Sequence, residues 1–133
     1  MAGEIIAEYG KNPINWGRLS HPDFSHREKN ISCGEEITVD FSFDASGKIQ
    51  KIAFEAEGRM VTIAAMSLLT EEIEEQPLST IEKYSQEDIL ELLEVEKLSP
   101  RRLKSALLGL LTLKNAFRTR EKKPLLDFGD ILL

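Results

Sequence analysis

The chain has 133 residues, which is enough for one domain with a hydrophobic core. Its 41% hydrophobic and 30% charged residues are typical of soluble globular proteins, and no apolar run has the length of a membrane span. No signal-peptide pattern opens the chain, so we expect a cytoplasmic protein. The net charge of −6 argues against nucleic-acid binding, despite a local basic cluster at 118–123.

The N-terminal third predicts a short helix followed by an exposed loop. Residues 3–17 predict a helix that breaks at Asn12-Pro13, because the residue before a proline avoids helical backbone angles. Residues 19–36 hold few apolar side chains and end near a Cys33-Gly34 turn, which favours an exposed loop.

The next segment predicts a β-hairpin. Apolar and polar residues alternate along the first strand, whose apolar positions are Ile37, Val39, Phe41 and Phe43. A turn at 44–47 follows, and Ile52, Phe54 and Ala56 alternate in the same way along a second strand.

The second half predicts helices. Residues 59–75 are apolar on nearly every side through Leu69, which indicates a helix buried against a sheet or other helices. Ser85 with Asp88 predicts a capping box, and Pro100 predicts the first residue of a long helix. We therefore predict an α+β domain, an antiparallel sheet with helices packed on it, over residues 1–120 and an apolar tail over 121–133.

Four stretches in this part of the sequence carry motifs in a fixed order. They are N-P-I-N-W-G from Asn12, C-G-E from Cys33, F-E-A-E-G-R-M-V-T-I-A-A-M-S-L-L-T from Phe54 and R-L-K-S-A-L-L from Arg102. They resemble N-P-x-N-x-G, C-G-D, F-x-G-x-G-C-A-I-S-x-A-S-A-S-M-M-T and R-x-K-C-A-x-L of the U-type iron–sulfur cluster scaffold family, which comprises IscU, SufU and the N-terminal domain of NifU. The resemblance covers residues 5–117 and implies the SufE/NifU-like scaffold fold.

The resemblance also implies a ligand pocket. In that family three cysteines and one further ligand hold a nascent cluster, or zinc in its place. Here Cys33 keeps the first cysteine position and Glu35 takes the nearby acidic position, whereas Arg59 and Ser105 stand at the second and third cysteine positions. Because arginine stays protonated and cannot ligate a metal, only Cys33 and Glu35 remain as metal-ligand candidates.

These replacements predict a non-enzymatic accessory protein of iron–sulfur cluster assembly. We expect no cofactor to be bound stably, since a cluster or zinc is implied by the resemblance alone. An iron–sulfur assembly protein such as a cysteine desulfurase is the implied partner. A purely structural protein-interaction module is the alternative from another class.

Arg59 needs an anion if it is buried. The resemblance places Glu35 in the same pocket, which predicts an Arg59–Glu35 ion pair in place of the metal. The alternative is that Arg59 lies in solvent beside Glu57, where such a pair would contribute little.

Cys33 is the chain's single cysteine, so it excludes an internal disulfide. It is either a relic thiol or a persulfide acceptor for a cysteine desulfurase, since a nearby arginine would lower its pKa. A weaker idea is that it gives one ligand to a cluster shared by two chains. His21, Asp23 and His26 could complete a zinc site with Cys33, although loop histidines are more often solvated.

The tail is rich in leucine, isoleucine and phenylalanine after Pro124. Such a segment is expected to dock on an apolar surface of its own domain, of a second copy in a homo-oligomer, or of a partner. In one version it folds back across the pocket, so that Asp127 and Asp130 reach Arg59. A frayed terminus is the alternative.

Overall fold

The computed structural model describes residues 3–133. Its strands and α-helices are α1 Glu4–Lys11, β1 Phe24–Asn30, β2 Glu35–Phe43, β3 Ile49–Glu57, α2 Met60–Ile73, α3 Gln86–Leu92, α4 Pro100–Arg120 and α5 Phe128–Ile131. A 3-10 helix, Leu78–Lys83, connects α2 to α3.

The sheet is an antiparallel meander in the order β1-β2-β3. Its central strand pairs on both sides, with Val39 opposite His26 on β1 and Phe54 on β3. One face is covered by helices: α4 packs on β1 and β2, α2 packs on β3 and α4, and α1 packs on α2. Ile37, Val39 and Phe41 are fully buried beneath them. The predicted α+β class and the β2–β3 hairpin are therefore confirmed.

The predicted exposed loop over residues 19–36 is wrong, because it contains strand β1. Phe24, His26, Glu28 and Asn30 alternate with exposed residues along this strand, so the period of two is present. Only Phe24 among these inward positions is apolar. The polar groups at the inward positions have partners. The Asn115 amide of α4 donates to Glu28 Oε1 at 3.0 Å, His26 Nε2 lies 2.9 Å from the same oxygen, and Asn30 Oδ1 accepts a hydrogen bond from Ser32 Oγ.

The predicted helix boundaries agree with the structure. Helix α1 ends at Lys11, directly before Asn12-Pro13. Ser85 and Asp88 form the capping box of α3, and Pro100 is the first residue of α4. Within residues 3–133, no helix combines the length and the apolarity needed to cross a bilayer.

Asp40 ties the segment before β1 to the sheet. Its buried carboxylate accepts hydrogen bonds from Arg18 Nε at 2.7 Å, from the Leu19 backbone N–H at 3.0 Å and from Ser25 Oγ at 2.6 Å. Burial raises the pKa of Asp40 more than any other single cause, but the hydrogen bonds together outweigh it, so that the pKa lies below the ordinary 3.8.

The tail docks on its own domain. Asn115, buried in α4, pairs with the backbone of Leu126: its Oδ1 accepts the N–H at 2.8 Å and its Nδ2 donates to the carbonyl at 3.0 Å. Ile131 is buried, and Phe128 packs against the core with the Lys104 ammonium 5.8 Å from its ring centroid. The prediction that the tail docks on an apolar surface is confirmed for these residues, whereas Leu125 stays 60% exposed.

Deleting residues 125–133 should therefore destabilise the domain. Loss of the buried Ile131 and of the partly buried Leu126 and Phe128 should lower the free energy of unfolding by about 3 kcal/mol, measured by urea denaturation. Leu125→Ser is the matched control and should change it by less than about 0.5 kcal/mol. An unchanged stability of the deletion variant would contradict the docking.

Replacing Asp40 by Asn should give a pH-dependent loss of stability. A carboxyl whose pKa is depressed in the folded state stabilises the protein above its unfolded pKa, and this stabilisation is lost as the pH falls through the folded pKa. The stability difference between wild type and Asp40→Asn should thus be constant from about pH 7 to 5 and shrink below pH 3.8. Urea unfolding at a series of pH values measures it, and a difference that grows in acid would refute the assignment.

Candidate functional site

The Glu35 carboxylate is the centre of the candidate site. It lies at the start of β2 and is only 4% exposed. Its Oε1 accepts a hydrogen bond from the Ser105 hydroxyl of α4 at 2.7 Å, and its Oε2 accepts bonds from the Thr62 hydroxyl and from the backbone N–H of Arg59 at 3.2 Å. One side chain therefore joins β2, α2 and α4.

The Glu35 carboxylate lies at the N-terminus of α2, where a negative charge is favourable. Arg59 is the N-cap residue of α2, and the first N–H groups of a helix favour a negative charge. The carboxylate approaches the preceding Gly58 so closely that a Cβ there would lie 2.9 Å from Glu35 Oε2. Glycine at this position therefore leaves room for the acid.

The predicted Arg59–Glu35 ion pair is wrong. Glu35 contacts the backbone N–H of Arg59, while the Arg59 side chain is exposed and forms no ion pair within residues 3–133. The side chain therefore lies in solvent, as in the alternative interpretation. The physical reason is that hydroxyl and N–H donors already satisfy the carboxylate, so that no guanidinium needs to be desolvated beside it.

Cys33 lies in the turn between β1 and β2. Its backbone N–H donates to the Asn30 carbonyl at 3.2 Å, and Ser32 Oγ lies 3.9 Å from its Sγ and 2.8 Å from Asn30 Oδ1. The thiol is half-buried, and the neighbouring Ile31 is 88% exposed. Asn30 Nδ2 is buried and makes no hydrogen bond among the described residues.

His26 and Asp23 have other contacts, and His21 is exposed. His26 lies on β1 with its Nε2 2.9 Å from Glu28 Oε1, and Asp23 accepts the Phe43 backbone N–H at 2.8 Å. Across residues 3–133 no three His, Cys, Asp or Glu side chains are grouped closely enough to hold a metal ion.

Asp127 and Asp130 do not reach Arg59. The two carboxylates form the capping box of α5, and the helix packs on α4. The prediction that the tail folds back across the pocket is therefore wrong, because Asp127 and Asp130 accept hydrogen bonds from backbone N–H groups at the start of their own helix.

Two of the motif stretches contact each other. The Ile14 backbone N–H donates to Ser67 Oγ at 2.6 Å, and Asn15 Nδ2 donates to Thr70 Oγ1 at 3.1 Å. Ser67 and Thr70 lie on α2 and are fully buried. These hydroxyls explain why an otherwise apolar helix contains polar residues: they hold residues 12–17 against it.

The side chains of Cys33, Glu35, Arg59 and Ser105 differ in their ability to bind a metal. Cys33 has a soft sulfur ligand, and Glu35 has two oxygens that both already accept hydrogen bonds. The Ser105 hydroxyl is used as a donor, and a guanidinium does not bind cations. Clusters and zinc are typically held by several thiolates or imidazoles.

The sequence model of the NifU-like N-terminal domain matches residues 2–126. The chain belongs to this family. A curated relative, the iron-sulfur cluster assembly scaffold protein IscU of Thermotoga maritima, is 28% identical over 133 aligned positions, covering 89% of this chain and 93% of the relative.

Solved structures agree with this family. FiSufU, the candidate scaffold for the SUF system of Fervidobacterium islandicum AW-1, superimposes with a TM-score of 0.73 at 26% identity and covers 85% of this chain and 93% of its own. A NifU-like N-terminal domain from Brucella abortus has the same fold, with a TM-score of 0.70 at 18% identity over 91% of this chain and 94% of its own.

Within this NifU-like domain, Thr62 is a site residue that the sequence interpretation did not single out. It is buried three residues after Arg59 and donates to the same oxygen of Glu35 as the Arg59 N–H. A single polar residue within the apolar run at 60–66 was the available signal.

Glu35→Gln should destabilise the domain because an amide places an N–H₂ group where a carboxylate oxygen now accepts a hydrogen bond. We expect a loss of about 2 kcal/mol in the free energy of unfolding, measured by urea denaturation. Glu36→Gln, the same substitution at the next residue, is the control and should cost less than about 0.5 kcal/mol, since the ion pairs of Glu36 among the described residues are with the exposed Arg27 and Lys29. Equal effects at the two positions would disprove the central role of Glu35.

Proposed function

We propose that this NifU-like domain is a non-enzymatic accessory protein of iron–sulfur cluster assembly that does not hold a cluster by itself. The observation that carries the proposal is the hydrogen-bond network around Glu35. It includes three positions at which the family resemblance implies the ligand pocket, Glu35, Arg59 and Ser105, and the Arg59 backbone and the Ser105 hydroxyl act in it as hydrogen-bond donors to Glu35.

The donor set supports this proposal. A cluster needs several electron-pair donors, whereas Ser105 and Thr62 direct O–H groups at Glu35. Cys33 alone is left as a soft ligand, and its hydrogen bonds stay within its own turn. The family relationship supports a place in cluster assembly and makes a cysteine desulfurase, or another protein of the same process, the proposed partner.

Anaerobic reconstitution with ferrous iron and sulfide tests the loss of ligation. Wild-type protein should retain well under one cluster per chain, by visible absorbance and by iron and sulfide content. The double variant Arg59→Cys/Ser105→Cys, which restores thiols at both replaced positions, should gain iron or zinc and serves as the positive control. About one cluster per wild-type chain would overturn the proposal.

The second candidate function is sulfur relay through Cys33. It is favoured by the position of the half-buried thiol in a surface turn that begins at Asn30, whose Nδ2 is buried and makes no hydrogen bond among the described residues. In this reaction the Cys33 thiolate would attack the outer sulfur of a desulfurase persulfide, forming a new S–S bond while the desulfurase thiolate leaves.

Mass spectrometry distinguishes the two candidates. After incubation with a cysteine desulfurase and cysteine, a relay protein should gain one sulfur atom on Cys33 and the Cys33→Ser variant none. An unmodified wild-type protein, in a reaction where the desulfurase itself carries persulfide, would exclude the relay and leave the accessory role untouched.

A further inference from the structure

A cleft lies between the end of α1, residues 12–17 and α2. Its lining residues are Gly10, Lys11, Pro13, Trp16 and Ile63, and its volume is about 370 Å³. We call it the Trp16 cleft, because the indole is 46% exposed at its edge. Met60, 39% exposed, extends the apolar surface, since it packs directly on Gly10.

Trp16 is held rigidly although it is exposed. Its neighbours bind the edge strand β3: the Gly17 N–H donates to the Phe54 carbonyl at 2.8 Å, and the Phe54 N–H donates to the Asn15 carbonyl at 2.9 Å. The indole meets the Phe54 ring edge to face, with centroids 5.4 Å apart. A preformed aromatic surface binds a partner at a low ordering cost, and tryptophan is enriched at binding hot spots.

The charges around the cleft favour a negatively charged partner. The whole chain carries a net charge of −6, and a neighbouring cleft that also includes Trp16 is lined by three glutamates and two arginines. The Trp16 cleft is lined by no acid and contains Lys11. Arg59 lies one helical turn before Ile63, and neither Lys11 nor Arg59 forms an ion pair within residues 3–133.

We propose that the Trp16 cleft binds an acidic segment of a partner protein. The segment inserts one bulky apolar side chain beside Trp16 and places carboxylates near Lys11 and Arg59. Trp16 stands at the position that the motif N-P-x-N-x-G leaves open. The inference does not depend on whether the protein holds a cluster.

The binding is tested by ¹⁵N NMR titration with three synthetic peptides of equal length. The sequences are Glu-Glu-Asp-Leu-Phe-Asp-Glu-Glu, its basic counterpart Lys-Lys-Asn-Leu-Phe-Asn-Lys-Lys, and Glu-Glu-Asp-Gly-Gly-Asp-Glu-Glu, which lacks the apolar pair. The first peptide should shift the Trp16 indole and the Lys11 and Ile63 amide signals in a saturable way. The other two should bind at least about tenfold more weakly.

Charge variants test the role of the two cations. The double variant Lys11→Glu/Arg59→Glu should weaken binding of the first peptide at least about tenfold. The control Lys51→Glu/Lys122→Glu makes the same change in net charge at exposed positions and should weaken this binding less than about threefold. The dispersion of each variant's spectrum shows that it is folded.

Three results of these titrations would overturn the proposal. They are the absence of saturable shifts at the Trp16 cleft, equal binding of the acidic and basic peptides, and equal weakening by both pairs of charge reversals. Sedimentation that reveals self-association lost in Trp16→Ala would also overturn it, because a second copy would then cover the cleft.

Discussion

The carboxylate of Glu35 is buried where the start of β2 meets the first turns of α2 and α4. Removing a carboxylate from water costs several kcal/mol unless donors replace the water. Here two hydroxyls and one backbone N–H do so, each from a helix that packs on the sheet. The network therefore couples the burial of one acid to the relative positions of three elements.

Compared with the family pattern, the site lies at the same positions of the chain but has a different chemistry. In the family pattern, the corresponding positions carry groups that donate electron pairs to a metal. In this chain, Ser105 and the Arg59 backbone donate hydrogen bonds to an internal anion. The Arg59 side chain is left in solvent beside the apolar cleft, where its charge is available to a partner. One replacement thus bears on both the interior and the surface of the molecule.

Apolar side chains in the sequence were sufficient to predict the elements that bury them. The β2–β3 hairpin alternates with a period of two, and α2 is apolar on nearly every side. Strand β1 was missed because His26, Glu28 and Asn30 occupy its inward positions, and tertiary contacts such as that of Glu28 with Asn115, which accommodate polar groups there, are not visible in the sequence pattern.

The sequence predicted that Glu35, Arg59 and Ser105 lie close together, but not which of their atoms are in contact. Family motifs indicate which positions meet, as the contact of Glu35 with Ser105 illustrates. They do not indicate that the Arg59 backbone, and not its guanidinium, reaches Glu35. The direction of a side chain at a helix N-cap depends on the local backbone and on competing donors such as Thr62, which a spacing of residues does not encode.

Asn115 connects the tail to the rest of the domain. Its buried amide joins β1 through Glu28 and both backbone groups of Leu126. Because Leu126 is held by a side chain of α4, the tail can detach while Asn115 keeps its hydrogen bond to Glu28. The amide protons of the tail should exchange with solvent through this local opening while the sheet remains closed, so the C-terminal segment behaves as a separate cooperative unit of the native state.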